Sequence, residues 1–191
     1  MSAMRRSSWL LLSYKTPTEP TRHRMAVWRR LKALGAVYLQ NGVCLLPSNV
    51  DHLRQIKMLA HEITEMKGEA VLLEAAPLDP AQEDYVIARF RSDRDDAFRE
   101  FIERCDGFDE EITRETAAGK LTYAELEEND EDLKKLRTWF EKITVLDFYG
   151  ASLAAEARSR LERCESRLES FSHEVFKAHQ AQAGRSGDGG A

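Results

Sequence analysis

The residues of this sequence whose type and spacing suggest chemistry are cations near the amino terminus. Lys15 ends an apolar run, and Arg22, Arg24, Arg29 and Arg30 follow within one predicted helix. On a helical wheel of about 100° per residue, Arg22 and Arg29 point away from the apolar arc, whereas Arg24 falls inside it. The amides and the dipole at a helix amino terminus also attract anions. The pattern therefore predicts a site for nucleic-acid phosphates or a small oxyanion, with Arg24 as its least explained member.

The charge of the chain is segregated along its length. The net charge is −5, but residues 1–35 hold eight Lys/Arg against one acid, and residues 79–191 carry a net charge of −10. A basic stripe is typical of nucleic-acid-binding proteins, although the pI of 5.6 requires the acidic part to point away from DNA. The alternative interpretation is an ordinary solvated helix face, with Arg24 paired to an acid such as Glu74.

Other reactive patterns are missing from the sequence. It has no Ser/His/Asp order, no phosphate-binding glycine loop and no pair of carboxylates at a strand end, so we expect neither an enzyme nor a cofactor. The histidines lack partners at ligand spacing, so we expect no metal site. Trp9, Trp28 and Tyr38 could stack on bases, but all three fall at predicted core positions. The longest apolar run, residues 9–12, is too short to span a membrane.

The cysteines indicate where the protein resides. Cys44, Cys105 and Cys164 are isolated, odd in number and set in apolar stripes or strands. This pattern favours small core residues in a reducing cytoplasm over a disulfide framework or a zinc site.

The first half of the chain alternates predicted strands and helices. An Asn41-Gly42 pair between two apolar runs predicts a hairpin, because a type I′ turn needs positive φ at both positions. The predicted strands are Ser8–Tyr14, Ala36–Gln40, Val43–Leu46 and Glu69–Leu73, and the predicted helices are Thr21–Leu34 and the stripe from Leu53 to Met66. The order β-α-β-β-α-β predicts a ferredoxin-like domain over residues 1–78.

The second half contains helical signals alone. One stretch begins at Asp79-Pro80 and extends to Gly119, with a break expected near Ser92, and Thr122-x-x-Glu125 is a capping box that begins the next helix. A third stripe extends from Leu153 to Val175. We expect an α+β protein in which residues 79–180 form a helical hairpin or three-helix bundle and residues 181–191 a disordered tail.

Several segments together resemble the ChrB family of chromate-resistance regulators. The resemblance covers most of residues 9–178 and is carried by Trp9-Leu10-Leu11, Arg22-x-Arg24, Val27–Leu31, Gly35–Gln40, Leu46-Pro47, Leu121–Glu128 and Asp147–Gly150. It implies the amino-terminal domain of a bacterial cytoplasmic repressor of chromate efflux. The first segment is also similar to the middle domain of PaaX-type repressors and, more distantly, to ferredoxin-like CRISPR-associated subunits. Nucleases among those subunits place an Asp where this chain has Ser13-Tyr14-Lys15, so we expect no metal-dependent cleavage.

Three functions follow as hypotheses. The first is a DNA-associated regulator in which Lys15, Arg22, Arg24, Arg29 and Arg30 contact phosphates. The second is a sensor that binds chromate or sulfate near Arg24. The third is an interaction module without DNA binding that docks on a separate carboxy-terminal ChrB-like protein, since full-length family members carry a further domain and this chain stops in a Gly-rich tail. An exposed sheet edge also suggests a homodimer.

Overall fold

A computed structural model describes residues 8–187 of the chain, with side chains described to residue 181. Within these residues the protein is α+β, with a four-stranded antiparallel sheet and five helices. The elements in chain order are β1 (Trp9–Lys15), α1 (Thr21–Ala33), β2 (Val37–Gln40), β3 (Val43–Pro47), α2 (Val50–Glu65), β4 (Glu69–Ala75), α3 (Pro80–Ala117), α4 (Tyr123–Val145) and α5 (Ala154–Gly187).

The sheet has the strand order β2-β3-β1-β4, with β1 and β3 in its centre. Leu12 of β1 lies opposite Cys44 of β3 on one side and Leu72 of β4 on the other. Because side chains alternate across a strand, these three residues share one face of the sheet. That face packs against the apolar sides of α1 and α2, which bury Val27, Leu31, Ile56, Leu59 and Ile63.

Local sequence signals account for the ends of these elements. Asn41 and Gly42 form the turn between β2 and β3 at the predicted position. Gly42 has a φ of +74°, but Asn41 does not have a positive φ, so the turn is not the predicted type I′. The backbone N–H of Tyr14 donates to the Gly42 carbonyl at 2.7 Å, which holds this turn beside the end of β1. At the start of α2, the Asn49 side chain accepts from the His52 backbone N–H at 2.7 Å and caps the helix.

The three later helices share a second core. Phe98, Phe101 and Cys105 of α3 are buried in one cluster with Phe140 of α4 and Phe171 of α5. The helix α3 continues through Ser92, so the break expected there is absent, because no residue at that point interrupts helical hydrogen bonding. Thr122 caps α4 through a 3.2 Å hydrogen bond from the Glu125 backbone N–H, as the capping box predicts.

The chain divides into two compact units, residues 1–93 and 94–191. The division lies within α3, whereas the sequence places it at residue 78. The first turns of α3 belong to the sheet unit, since Arg89 donates to the Tyr38 carbonyl at 3.3 Å. The helix α5 continues through Gly187 and includes the beginning of the segment 181–191 predicted as a tail, while 188–191 lie outside the described residues.

Candidate functional site

A pocket of about 720 Å³ lies at the end of β1 where the chain enters α1. Four segments line it: the end of β1 with the residues that follow, the first turns of α1, strand β2 and the Asn41-Gly42 turn. We call it the Arg24 pocket, and its lining consists of Tyr14, Lys15, Thr16, Arg24, Met25, Trp28, Tyr38, Asn41 and Gly42. All of these residues belong to the sheet unit.

The charges of the Arg24 pocket are all positive. Lys15 and Arg24 line it, and its lining contains no Asp or Glu. Within the part of the chain that the structure describes, neither cation forms an ion pair, and both side chains are exposed. The predicted conflict of Arg24 with the apolar arc is thus resolved, because its side chain lies at an open pocket and remains hydrated.

The acid suggested as a partner for Arg24 is engaged elsewhere. Glu74 Oε1 accepts hydrogen bonds from Ser8 Oγ at 2.6 Å and from Ser48 Oγ at 3.1 Å. These two hydrogen bonds stabilise the carboxylate and lower the pKa of Glu74. The proposed Arg24–Glu74 pair is therefore not formed.

Two tyrosines of the pocket lining contact each other through their hydroxyls. The hydroxyls of Tyr14 and Tyr38 are 2.8 Å apart, and either can be the donor. Burial raises the pKa of Tyr14, and burial together with the hydrogen bond to Tyr14 raises the pKa of Tyr38. Both groups stay protonated at neutral pH. One proton joins the two oxygens, so the hydroxyl that accepts this bond has its own proton available for an anion.

The apolar side of the pocket corrects the sequence analysis. Trp28 was predicted to lie in the core, but 41% of its surface is exposed, and 37% of Met25 is exposed beside it. Trp9 is buried as predicted, whereas Tyr38 is half-buried. The Lys32 ammonium lies 5.2 Å from the centroid of the Trp28 ring, which is a cation–π contact within α1.

The remaining predicted cations separate into two groups. Arg30 forms an ion pair with Glu62 of α2, with 2.8 Å between Nη1 and Oε1, so its charge is compensated. Arg22 and Arg29 are exposed on α1, form no ion pair with any described residue and do not line the pocket. The structure thus places Lys15 and Arg24 together in the pocket and pairs Arg30 with Glu62. Arg22 and Arg29 are exposed elsewhere on α1, without an ion pair to any described residue.

Sequence reasoning missed the contribution of Tyr14 and Met25 to this site. The signal for Tyr14 was available, since alternation from Leu12 places it on the helix-facing side of β1, beyond the last apolar residue. No sequence pattern marks Met25 as a site residue, because only the structure shows that it lines the pocket beside Trp28.

The other residues weighed from the sequence lie in structural positions. His52 Nδ1 is 2.8 Å from the Pro47 carbonyl oxygen, and His179 stacks on Tyr123. All three cysteines are buried and reduced. Among the described residues, no group of three or more His, Cys, Asp or Glu side chains could hold a metal ion. No helix in this part of the chain is long and apolar enough to cross a membrane.

Comparison with known families matches residues 24–182 to the family described as "Protein ChrB, N-terminal". The chain belongs to this ChrB amino-terminal family. The match begins at Arg24 within α1 and extends into α5, so it includes parts of both compact units and leaves out β1. The chain is also similar to Protein ChrB of Cupriavidus metallidurans strain CH34, with 36% identity over 97 residues. That alignment covers 50% of this chain and 29% of the Cupriavidus protein, so this chain spans less than a third of that relative.

Proposed function

We propose that this chain is a non-enzymatic, cytoplasmic regulator of chromate resistance that binds DNA in the control of chromate efflux. The observation that carries the proposal is a group of four cations at the end of β1 and along α1 in a ChrB-family chain. Lys15, Arg22, Arg24 and Arg29 have no ion-pair partner among the described residues. Unpaired cations bind phosphates without first breaking an internal ion pair.

The architecture supports the same proposal. The element order βαββαβ and the strand order β2-β3-β1-β4 support a ferredoxin-like plan for the sheet unit. The shared core of α3, α4 and α5 supports a helical bundle for the other unit. In the helical unit, acids pair with its own arginines, as Asp109 does with Arg163 at 2.6 Å and with Arg167 at 2.7 Å. These pairs compensate Asp109 locally and leave the net acidic charge of this unit unchanged.

The direct test is a mobility-shift assay on DNA from upstream of the gene, repeated over a range of salt concentrations. Each phosphate contact contributes a slope of about −0.9 to log affinity against log salt. Arg22→Ala and Arg29→Ala are each expected to weaken binding and to reduce the slope by about one contact. Arg30→Ala is the matched control, because its charge is already compensated, and it should leave the slope unchanged. Absence of any complex at low salt would overturn the proposal.

Two partners belong to this proposal. One is a second copy of the chain, supported by the edge strand β4, on which Val71 and Leu73 are each 54% exposed. The other is a protein that carries the carboxy-terminal part of ChrB. Light scattering of the purified chain tests the first, and co-purification with such a protein tests the second.

The Arg24 pocket favours a second candidate function, the binding of a small oxyanion such as chromate or sulfate. Lys15, Arg24 and the Tyr14–Tyr38 hydroxyl pair supply the cations and the proton donor that an oxyanion requires. Calorimetry with chromate tests this function. Chromate heats that are absent, or that are unchanged in Arg24→Ala, would contradict it.

A further inference from the structure

The Arg24 pocket is larger and more apolar than a tetrahedral oxyanion needs. Its volume of about 720 Å³ lies within the range of roughly 300–1,000 Å³ that is usual for pockets that bind small organic ligands. A tetrahedral oxyanion would fill a small part of this space and would leave the aromatic walls uncovered.

The lining divides into an anion-binding part and an apolar part. Lys15, Arg24 and the two tyrosine hydroxyls supply positive charge and a free proton donor. Trp28 lies one helical turn after Arg24 on α1, and Met25 lies three residues before Trp28, so the cation, the ring and the thioether share one face of the helix. A ligand that contacts both parts must be an anion with a flat apolar body.

The exposure of the apolar part supports a ligand of this kind. Trp28 is 41% exposed and Met25 is 37% exposed, although large apolar side chains are stabilised when they are covered. Aromatic rings gain most from contact with another flat ring, which an inorganic anion does not provide.

We propose that the Arg24 pocket binds a small aromatic anion, a flat ring system that carries a carboxylate, sulfonate or phosphate. The anionic group contacts Lys15 and Arg24, a tyrosine hydroxyl donates to it, and the ring lies against Trp28 and Met25. The proposed function assigns Lys15 and Arg24 to DNA phosphates, so on that function the aromatic anion and DNA compete for the same two cations. Such a ligand would release the protein from DNA, and by linkage DNA would weaken ligand binding by the same factor.

The probe for this site is 8-anilinonaphthalene-1-sulfonate, a sulfonate on a flat naphthalene ring, whose emission rises in an apolar site. Titration of the full chain should give saturable binding, with energy transfer from tryptophan to the dye. In Trp28→Phe the dye should still bind, but the energy transfer should fall. Arg24→Ala should weaken the dye by about tenfold or more, because one charged contact is lost. Arg29→Ala is the matched control, because Arg29 is an exposed cation of the same helix that does not line the pocket, and it should change the affinity by less than about twofold.

A variant that preserves the fold provides a second measurement. Tyr38→Phe keeps the ring but breaks the hydroxyl pair, and it should weaken the dye by a few-fold, with an unchanged thermal midpoint as a check on folding. Equal dye affinity in Arg24→Ala and Arg29→Ala would overturn the proposal. Displacement of the dye by equimolar chromate or sulfate would also overturn it, since the pocket would then be an oxyanion site.

Two further outcomes separate this proposal from the proposed function. If dye binding depends on Arg24 but the protein binds no DNA at low salt, the ligand-binding proposal for the pocket is supported and the DNA-binding proposal is contradicted. If saturating dye leaves DNA binding unaffected, the proposed competition between dye and DNA is contradicted. Of the four cations that form no ion pair with a described residue, Arg22 and Arg29 alone would then contact DNA.

Discussion

Arg30 of α1 and Glu62 of α2 form an ion pair, with 2.8 Å between Nη1 and Oε1 and 3.1 Å between Nη1 and Oε2. The two residues are separated by 32 positions in the chain, and their contact connects the two helices that cover the sheet. The pair compensates one of the five cations that the sequence assigns to an anion-binding surface. It therefore defines which part of that surface is available.

Removal of Glu62 should add a cation to the surface. Glu62→Ala releases Arg30, so on the proposed function DNA should bind more tightly and the salt slope should steepen by about 0.9. The double variant Arg30→Ala/Glu62→Ala should return the slope to that of the parent protein. The stability cost of either single change should be below about 1 kcal/mol, since the two side chains are 35% and 38% exposed. A slope unchanged by Glu62→Ala would exclude Arg30 from reach of DNA.

Replacement of Gly42 should destabilise the sheet unit strongly. An added Cβ would lie 2.4 Å from the Tyr14 carbonyl oxygen, and the residue has a φ of +74°. We expect Gly42→Ala to lower the free energy of unfolding by about 2 kcal/mol or more. Gly119→Ala is the matched control, because Gly119 has a φ of +68° but no atom within 4 Å of the added Cβ. Urea unfolding measures both variants, and equal losses would show that backbone strain alone matters.

The thiol of Cys44 should react after unfolding and not before. Burial raises its pKa to about 12, because the thiolate loses its hydration inside the sheet unit. At pH 8 about one thiol in ten thousand is then ionised, and the thiolate is the form that alkylates. Iodoacetamide labelling followed by peptide mapping should show Cys44 modification that increases with urea in parallel with unfolding. Labelling of Cys44 in the native protein at the rate of a free thiol would contradict this expectation.

The buried carboxyl of Glu115 should make stability depend on pH. Desolvation raises the pKa of Glu115, the neighbouring Glu125 adds to that rise, and a 2.6 Å hydrogen bond from Asn129 Nδ2 opposes it. The folded protein therefore binds this proton more tightly than the unfolded chain. Its contribution is complete below the unfolded pKa of about 4.3 and is lost as pH rises through the folded pKa.

Glu115→Gln removes this titration. The variant should be at least as stable as the parent protein at pH 7, and the advantage should shrink as the pH falls towards 4. Glu110→Gln, an exposed position on the same helix, is the control and should give a stability curve parallel to that of the parent. Thermal unfolding from pH 4 to 8 measures all three proteins. Parallel curves for Glu115→Gln and the parent would contradict the raised pKa.

Local chemistry explains which parts of the fold could be predicted. The position of the Asn41-Gly42 turn and the Thr122 cap depend on residues within a few positions of one another, and both were predicted correctly. The position of Trp28 was predicted wrongly for a related reason. A helical wheel gives the direction of a side chain but not the point at which the sheet beneath it ends, and Trp28 lies over the pocket at that end.

The sequence predicts that cations gather at the candidate site, but it does not predict which of them are available to a ligand. The sequence by itself determined the order of strands and helices, the apolar face of each, and the concentration of cations at the start of α1, because these depend on residue type and short-range periodicity. The tertiary structure decided which cations are available: it pairs Arg30 with Glu62, directs Glu74 to Ser8 and Ser48, and brings Lys15 and Arg24 to one pocket. The physical reason is that charge compensation depends on distances of a few ångströms between residues remote in the chain, and folding alone sets those distances.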